Sequence, residues 1–148
     1  MSRRILKRAA LHLDPGPLPE LIGYRLRLAQ QTVFRDFAAS VPGVSPGRIG
    51  MLLLVEANPG VTQSRLAHAV GRDRSTMVGV LDQLEAKGLI ERRKGADRRT
   101  NGLWLTRAGR SLLVRAKRAI AVHEQRVAAR LSAPERAKLL ELLARIGA

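Results

Sequence analysis

Apolar residues recur at helical spacing along most of this chain. The first such stretch, 19–39, begins with Pro19. Proline suits the first turn of a helix, because the backbone N–H that it lacks would have no partner within the helix. Its apolar positions form one broad face at 100° per residue. Two shorter stretches follow at 47–56 and 63–70, with Ser45 and Thr62 expected as their N-caps. The pattern predicts a mainly helical chain of the α+β class.

Two more helices are predicted towards the end of the chain. A long one runs from Thr106, its expected N-cap, to about Arg130, and Ser132 and Glu135 have the spacing of a capping box for the next. The apolar face predicted for the last helix consists of Leu139, Leu142, Leu143 and Ile146. The first helix and the last two are too apolar for a small module to cover. We therefore expect them to bury their surplus surface against a second copy by two-fold symmetry.

The stretch 71–93 combines several helix signals. Asp73 is placed to cap a helix, and Gly88 matches the glycine that ends one. The predicted buried stripe is Met77, Val80, Leu81 and Leu84. The residues left pointing away from the core are Arg74, Ser75, Thr76, Val78 and Gln83. Arginine can bridge guanine O6 and N7, and serine or threonine can contact bases or phosphates. Taken alone, these residues fit a solvated helix face equally well.

The segment after this helix favours DNA binding. Residues 89–93 and 103–106 are predicted strands, and the hairpin tip between them carries Arg98 and Arg99. Within 91–99, five basic residues face only two acidic ones. Two short helices, a glycine-bearing turn and a polar-faced helix form the helix-turn-helix pattern. A charged hairpin alone is usually a solvated turn, but beside this motif it is a wing whose arginines can enter a minor groove.

Composition limits the function further. The 148 residues carry a net charge of +15 and no cysteine, which favours a polyanionic partner, although membrane surfaces also attract basic proteins. There is no run of 18 apolar residues, so we expect no membrane span and a cytoplasmic location. The three histidines are isolated, and phosphate-binding glycine motifs and nucleophile motifs are absent. We therefore expect no metal, no cofactor and no enzymatic activity.

The predicted elements divide the chain into three regions. Residues 1–17 form a basic arm, for which a solvated tail is favoured over contact with DNA or a second subunit. Residues 18–44 and 107–148 form a helical dimerisation region, and 45–106 form the winged helix-turn-helix domain. Arg25 falls inside the apolar face of the first helix. It needs a partner there, either a carboxylate, an anionic ligand, or water reached by its head group.

Four segments in this order resemble the multiple-antibiotic-resistance regulator (MarR) family of bacterial transcription factors. They are NPGVTQSRLAHAVG, DRSTMVGVLDQLEAKGLIERR, DRRTNGLWLTRAG and LSAPERAKLLELL. The resemblance covers nearly the whole chain from about residue 18. It implies a homodimer, a winged helix-turn-helix with about six helices and a two-stranded wing, and usually repression that a small molecule, often an aromatic acid, relieves.

The resemblance also implies a set of site residues. Those expected to face DNA are Gln63, Ser64, Arg72, Arg74, Ser75, Thr76, Asp97, Arg98 and Arg99. The candidates for the effector pocket, by helix position, are Tyr24, Arg25, Met51, Val55 and His123. Arg25 is the favoured partner for an effector's anionic group, such as an aromatic carboxylate or a coenzyme A thioester. A packed interface role is favoured for His123. The alternative function is a nucleoid-type architectural protein that binds DNA without an effector.

Overall fold

A computed structural model describes residues 13–41, 43–94 and 101–147, with the backbone only at residue 74. Within these ranges there are six α-helices, three strands and a short 3₁₀ turn, Leu18–Glu20. The helices and strands are α1 (Ile22–Ser40), α2 (Pro46–Ala57), β1 (Val61–Thr62), α3 (Gln63–Ala69), α4 (Arg74–Ala86), β2 (Ile90–Lys94), β3 (Asn101–Leu105), α5 (Arg107–Val127) and α6 (Ala133–Ile146). The prediction of a mainly helical chain is confirmed.

The chain divides after Phe34 into two compact units, which we describe separately. The first contains the 3₁₀ turn and the N-terminal part of α1. Here the prediction that a helix starts at Pro19 is wrong. Pro19 lies inside the 3₁₀ turn, and Leu21 is extended, with φ −85° and ψ 126°, so that α1 begins only at Ile22.

The core of the second unit forms around α2, the most apolar helix, which packs against α3, α5 and β3. The side chains that are almost completely buried come from every element around α2. They are Ile49, Leu52, Val55, Leu66, Met77, Leu81, Leu84, Ile90, Leu103 and Leu113. Helical spacing predicts one apolar stripe on α5, formed by Leu112, Ala116, Ala119, Ile120 and Val127. In the structure the buried stripe is centred on Leu113, and Val127 is exposed.

Side chains cap most of the helices as predicted. Thr62 and Thr106 each accept a hydrogen bond from the backbone N–H three residues further on, at 3.4 and 3.0 Å. Ser132 and Glu135 form the predicted capping box. Ser45 occupies the N-cap position of α2, but its side chain accepts no cap hydrogen bond, which corrects that part of the prediction.

The strands form an antiparallel sheet in the order β1-β3-β2, so the predicted two-stranded wing is in fact joined by a third strand. Val61 of β1 pairs with Leu103 of β3. A strand of two residues is too short to show an alternating pattern, which is why the sequence did not indicate it. The strands meet closely, since a Cβ atom at Gly102 would lie 2.8 Å from the carbonyl oxygen of Gly60.

Helix α6 has no buried residue. The face predicted to be buried is exposed in the single chain, with Leu139 at 43% and Ile146 at 56%. An apolar helix face of this kind needs a cover that the described residues of the chain do not supply. None of the described helices combines the length and the apolarity that a membrane crossing requires.

Candidate nucleic-acid interface

Helix α4 has one buried and one exposed face, as predicted. Met77, Leu81 and Leu84 are at most 1% exposed, because their spacing of four and three residues directs all of them to the core. The exposed residues include Ser75, Thr76, Val78, Gly79 and Gln83. Packing of the chain leaves this polar face available to a partner, although the Gln83 side chain accepts a hydrogen bond from Arg48 of α2.

The Asp73 carboxylate organises the first turn of α4. It accepts hydrogen bonds from the Ser75 hydroxyl at 2.6 Å, the Thr76 hydroxyl at 2.6 Å and the Thr76 N–H at 2.8 Å. These donors, the Ser75 hydroxyl first, hold the pKa of Asp73 well below its usual range. A charged carboxylate can only accept, so both hydroxyl protons point towards Asp73 and the lone pairs stay available. Ser75 and Thr76 are thus prepared to accept hydrogen bonds, whereas donating one to a phosphate would break a hydroxyl hydrogen bond to Asp73.

Gly88 ends α4 in the left-handed conformation, with a φ of +64°. The Gly88 N–H donates to the Glu85 carbonyl at 2.8 Å, and the Leu89 N–H donates to the Leu84 carbonyl at 3.0 Å. These are the two hydrogen bonds of a Schellman motif. Because they hold the turn, strand β2 starts at a defined position relative to α4.

Part of the basic cluster in β2 is neutralised by α4. Arg92 pairs with Asp82 at 2.6 Å and also with Glu85, both on the helix. Arg93 pairs with Glu91 and lies 5.3 Å from the centre of the Trp104 ring, at cation–π distance. Acidic residues from outside 91–99 therefore neutralise part of this cluster. Arg92 joins the wing to α4, a role that sequence spacing did not reveal.

The tip of the wing carries three predicted DNA contacts. Strands β2 and β3 pair in the described residues as far as Lys94 and Asn101. Asp97, Arg98 and Arg99 lie outside the described residues, so their roles stay predictions.

Four further residues were predicted to face DNA. Gln63 and Ser64 form the start of α3, where Ser64 is exposed and Gln63 is half-buried. Arg72 is exposed in the turn between α3 and α4. Arg74 is the first residue of α4, and its side chain lies outside the described part of the structure. Their contacts with DNA also stay predictions.

A cavity of about 480 Å³ lies beside this turn. Its lining includes Gly47, Gly50, Met51, Leu54, Val70 and Arg72. Of the residues predicted for an effector pocket, Met51 contributes to this lining, while Val55 is 1% exposed and belongs to the core.

In the N-terminal unit, two further candidates for the effector pocket, Arg25 and Tyr24, have partners close to them in the chain. The Nε–H of Arg25 donates to the carbonyl oxygen of Pro19 at 2.7 Å. Arg25 is exposed and not buried in an apolar face of its own unit. The guanidinium of Arg27 lies 5.2 Å from the centre of the Tyr24 ring. Neither arrangement tests a role in binding an effector.

His123 of α5 is 3% exposed and is hydrogen-bonded within the chain. Its Nδ1 lies 2.6 Å from the Asp36 carboxylate, and its ring meets Phe37 edge-on with centroids 5.4 Å apart. Arg126 also pairs with Asp36, at 3.1 Å. The hydrogen bond from His123 and then that from Arg126 lower the pKa of Asp36. His123 is thus packed against partners of its own chain, and the interface role that was favoured for it stays a prediction.

Two comparisons with known sequences cover much of this chain. The model of the MarR family matches residues 44–100. A protein of Thauera aromatica, named as a transcriptional regulatory protein for the hcr operon, is 42% identical over 135 residues, which are 88% of this chain and 81% of that protein. The chain belongs to the MarR family. As a MarR-family protein it is a DNA-binding transcriptional regulator.

Solved structures have the same fold as this MarR-family chain. The transcriptional repressor CouR, bound to a 23-mer DNA duplex, is 41% identical, with a TM-score of 0.87 over 93% of this chain and 99% of its own. CouR bound to p-coumaroyl-CoA is 40% identical, with a TM-score of 0.86 over 92% and 98%. The resemblance inferred from the sequence and the winged-helix fold class are confirmed.

Proposed function

We propose that this MarR-family chain is a homodimeric repressor, which binds a pseudo-palindromic operator and leaves it when a small organic anion binds. The observation that carries the proposal is the 41% identity with CouR on DNA across 93% of the chain. The net charge of +15 supports it, because such a charge favours rapid, salt-dependent association with a polyanion. The protein has no catalytic role in this proposal, and it acts in the compartment that holds the DNA.

In this proposal the first turn of α4 enters the major groove and the wing enters the minor groove. Arg74 bridges a guanine, and the hydroxyls of Ser75 and Thr76 accept hydrogen bonds from base amino groups, since Asp73 holds their protons. The residues proposed to contact phosphates are Gln63, Ser64 and Arg72. The residues proposed to shape the wing tip and insert it are Asp97, Arg98 and Arg99.

Exposed apolar surface supports the homodimer. Helix α6 exposes Leu139, Leu140, Leu142, Leu143 and Ile146 by 38–56% each. In the N-terminal unit, Leu21 and Ile22 are 51% and 64% exposed. A second copy covers such faces without introducing a different partner, and two-fold symmetry makes the contact reciprocal. The two recognition helices of a dimer then address half-sites about 10 bp apart.

The effector in this proposal is an aromatic acid or its coenzyme A thioester. CouR has been solved with p-coumaroyl-CoA, which belongs to the second class. From the sequence, Arg25 is the cation proposed to meet the anionic group, with Tyr24, Met51, Val55 and His123 as further candidates. The hydrogen bond from Arg25 to Pro19 uses only Nε, so both terminal nitrogens of the guanidinium can still bind an anion.

The test is an operator-release measurement on the DNA upstream of the protein's own gene. We expect binding at least about 10³-fold tighter than to random DNA, as is usual for specific regulators. We also expect p-coumaroyl-CoA or free p-coumarate to release the protein, measured by fluorescence anisotropy. Equal affinity for random DNA and no response to either compound would instead identify an effector-independent architectural protein.

A further inference from the structure

The cavity beside α2 has the size and the chemistry of a ligand site. Its volume of about 480 Å³ lies within the range of roughly 300–1,000 Å³ that small-molecule sites occupy. Its wall is formed by Met51, Leu53, Leu54 and Val70, and Arg72 is the one charged residue that the described part of the chain contributes to the lining. An open, mainly apolar cavity with a guanidinium in its lining suits a ligand that has an aromatic or aliphatic body and an anionic group.

Two glycines leave room on the α2 side of the cavity. Gly47 and Gly50 are three residues apart and therefore lie on the same face of the helix. A Cβ atom at Gly50 would meet nothing within 4 Å, and one at Gly47 would meet only the Arg72 guanidinium, at 4.0 Å. Glycine is a poor helix former, so α2 gives up helical stability where the cavity is open.

The Arg72 side chain is available to an anion. Its guanidinium pairs with no carboxylate of the described residues. The adjacent carboxylate of Asp73 already accepts three hydrogen bonds from Ser75 and Thr76. The Arg72 backbone is held, because its N–H donates to the Ala67 carbonyl at 3.0 Å. A fixed backbone whose side-chain cation meets no carboxylate of the described residues is a prepared anion contact.

We propose that the cavity bounded by Gly50 and Arg72 is the effector site, and that Arg72 binds the effector and the operator in turn. This inference rests on the proposed function, which supplies an effector and an operator. On DNA, Arg72 neutralises a backbone phosphate. In the effector complex, the apolar body of the ligand fills the cavity and its anionic group takes the same guanidinium, which replaces Arg25 as the partner inferred from the sequence. Two anions cannot share it without repelling one another, so the two complexes exclude each other.

The exclusion acts directly beside the recognition helix. Arg72 is the residue before Asp73, whose carboxylate arranges the hydroxyls of Ser75 and Thr76. By linkage, the factor by which the effector weakens DNA binding equals the factor by which DNA weakens effector binding. Each phosphate contact that is lost also makes the dependence of log K on log salt shallower by about 0.9.

The experiment compares Gly50→Leu and Arg72→Ala with Arg65→Ala as the control. Arg65 is an exposed arginine of α3 that does not line the cavity, so its removal matches the charge lost at Arg72. The affinity of DNA-free protein for p-coumaroyl-CoA, p-coumarate and coenzyme A is measured by calorimetry. Operator affinity is measured by anisotropy between 50 and 200 mM salt.

Gly50→Leu should retain operator affinity, which also reports that it is folded, and should lose at least about tenfold in ligand affinity because leucine occupies the cavity. Arg72→Ala should lose about tenfold in ligand affinity, as for one charge-assisted hydrogen bond, and should show the shallower salt dependence. Arg65→Ala should bind ligand like the wild type. If free p-coumarate binds, Arg72 is assigned to the p-coumarate carboxylate. If p-coumaroyl-CoA binds and p-coumarate does not, Arg72 is assigned to the phosphates of coenzyme A.

Three results would overturn the inference. They are unchanged ligand affinity in Gly50→Leu, an unchanged salt dependence in Arg72→Ala, and coenzyme A alone binding as tightly as the thioester. These failures are distinct from failure of the proposed function. If the ligand releases the wild-type protein and Gly50→Leu from DNA equally, the proposed function holds and this cavity is not the effector site. A wild-type protein that binds ligand in the cavity but stays on the operator retains the site and loses both the proposed function and the exclusion at Arg72.

Discussion

Replacing Gly109 with alanine tests the junction between the wing and α5. A Cβ atom at this position would overlap the carbonyl oxygen of Leu89 and lie 3.0 Å from its carbonyl carbon, whereas real Cβ contacts are rarely closer than 3.4 Å. The obstacle is backbone, which cannot turn aside as a flexible side chain can. The same Leu89 carbonyl accepts the Thr106 N–H at 3.2 Å. The start of α5 must therefore move away and lengthen that hydrogen bond.

The size of the effect follows from three contributions. Forcing an extra methyl group into a packed site costs about 1–3 kcal/mol, and weakening one hydrogen bond costs about 1 kcal/mol. Alanine returns up to about 1 kcal/mol, because it favours the helix more than glycine does. Gly109→Ala should therefore lower the free energy of unfolding by about 1–3 kcal/mol. For a chain of this length that corresponds to a melting temperature lower by about 2–12 °C.

The assay is urea and thermal unfolding followed by circular dichroism, at one protein concentration because dimerisation contributes to stability. Gly50→Ala is the matched control. It is the same substitution within a helix, but its Cβ meets nothing within 4 Å, so it should raise stability by up to about 1 kcal/mol. The reasoning is refuted if both variants are at least as stable as the wild type, since the close approach to Leu89 then carries no cost.

Four other variants test the binding surfaces and the ionic contacts. Arg74→Ala should cost about 1–3 kcal/mol in binding to the operator, and an unchanged footprint titration would remove Arg74 from base recognition. Arg25→Ala should retain operator affinity; loss of release by the effector would assign the effector's anionic group to Arg25, whereas full release would leave Arg72 as its partner. Because the Asp36 pKa is lowered from 3.8, its ionic contribution is present above that pH and is lost as the pH falls through the lower folded value. The stability advantage of the wild type over Asp36→Asn in urea should therefore shrink below about pH 4, and an advantage independent of pH would contradict an ionic contact. Leu143→Glu should convert the dimer to a monomer in light scattering, and an unchanged mass would place the dimer contact elsewhere.

Local signals identified the recognition helix before its surroundings were known. Asp73 and Gly88 mark its ends because capping involves only neighbours in the chain. Met77, Leu81 and Leu84 mark its buried face because a helix repeats every 3.6 residues. The order of segments then identified the family.

Contacts between distant segments were not predictable in this way. Arg92 appeared to be part of a free basic cluster, yet Asp82 and Glu85 neutralise it across the turn between helix and strand. The third strand, Val61–Thr62, was missed because its partner is 40 residues away. The cavity was missed because Gly50 and Arg72 belong to different elements.

The sequence by itself determined which segments are helices, where they are capped and which face of α4 is polar. These properties depend on residues within one or two turns of each other, and their physics is local. The tertiary structure decided which cations are already paired and where space remains. Charge neutralisation and cavities depend on side chains that only folding brings together, and spacing along the chain carries no record of them.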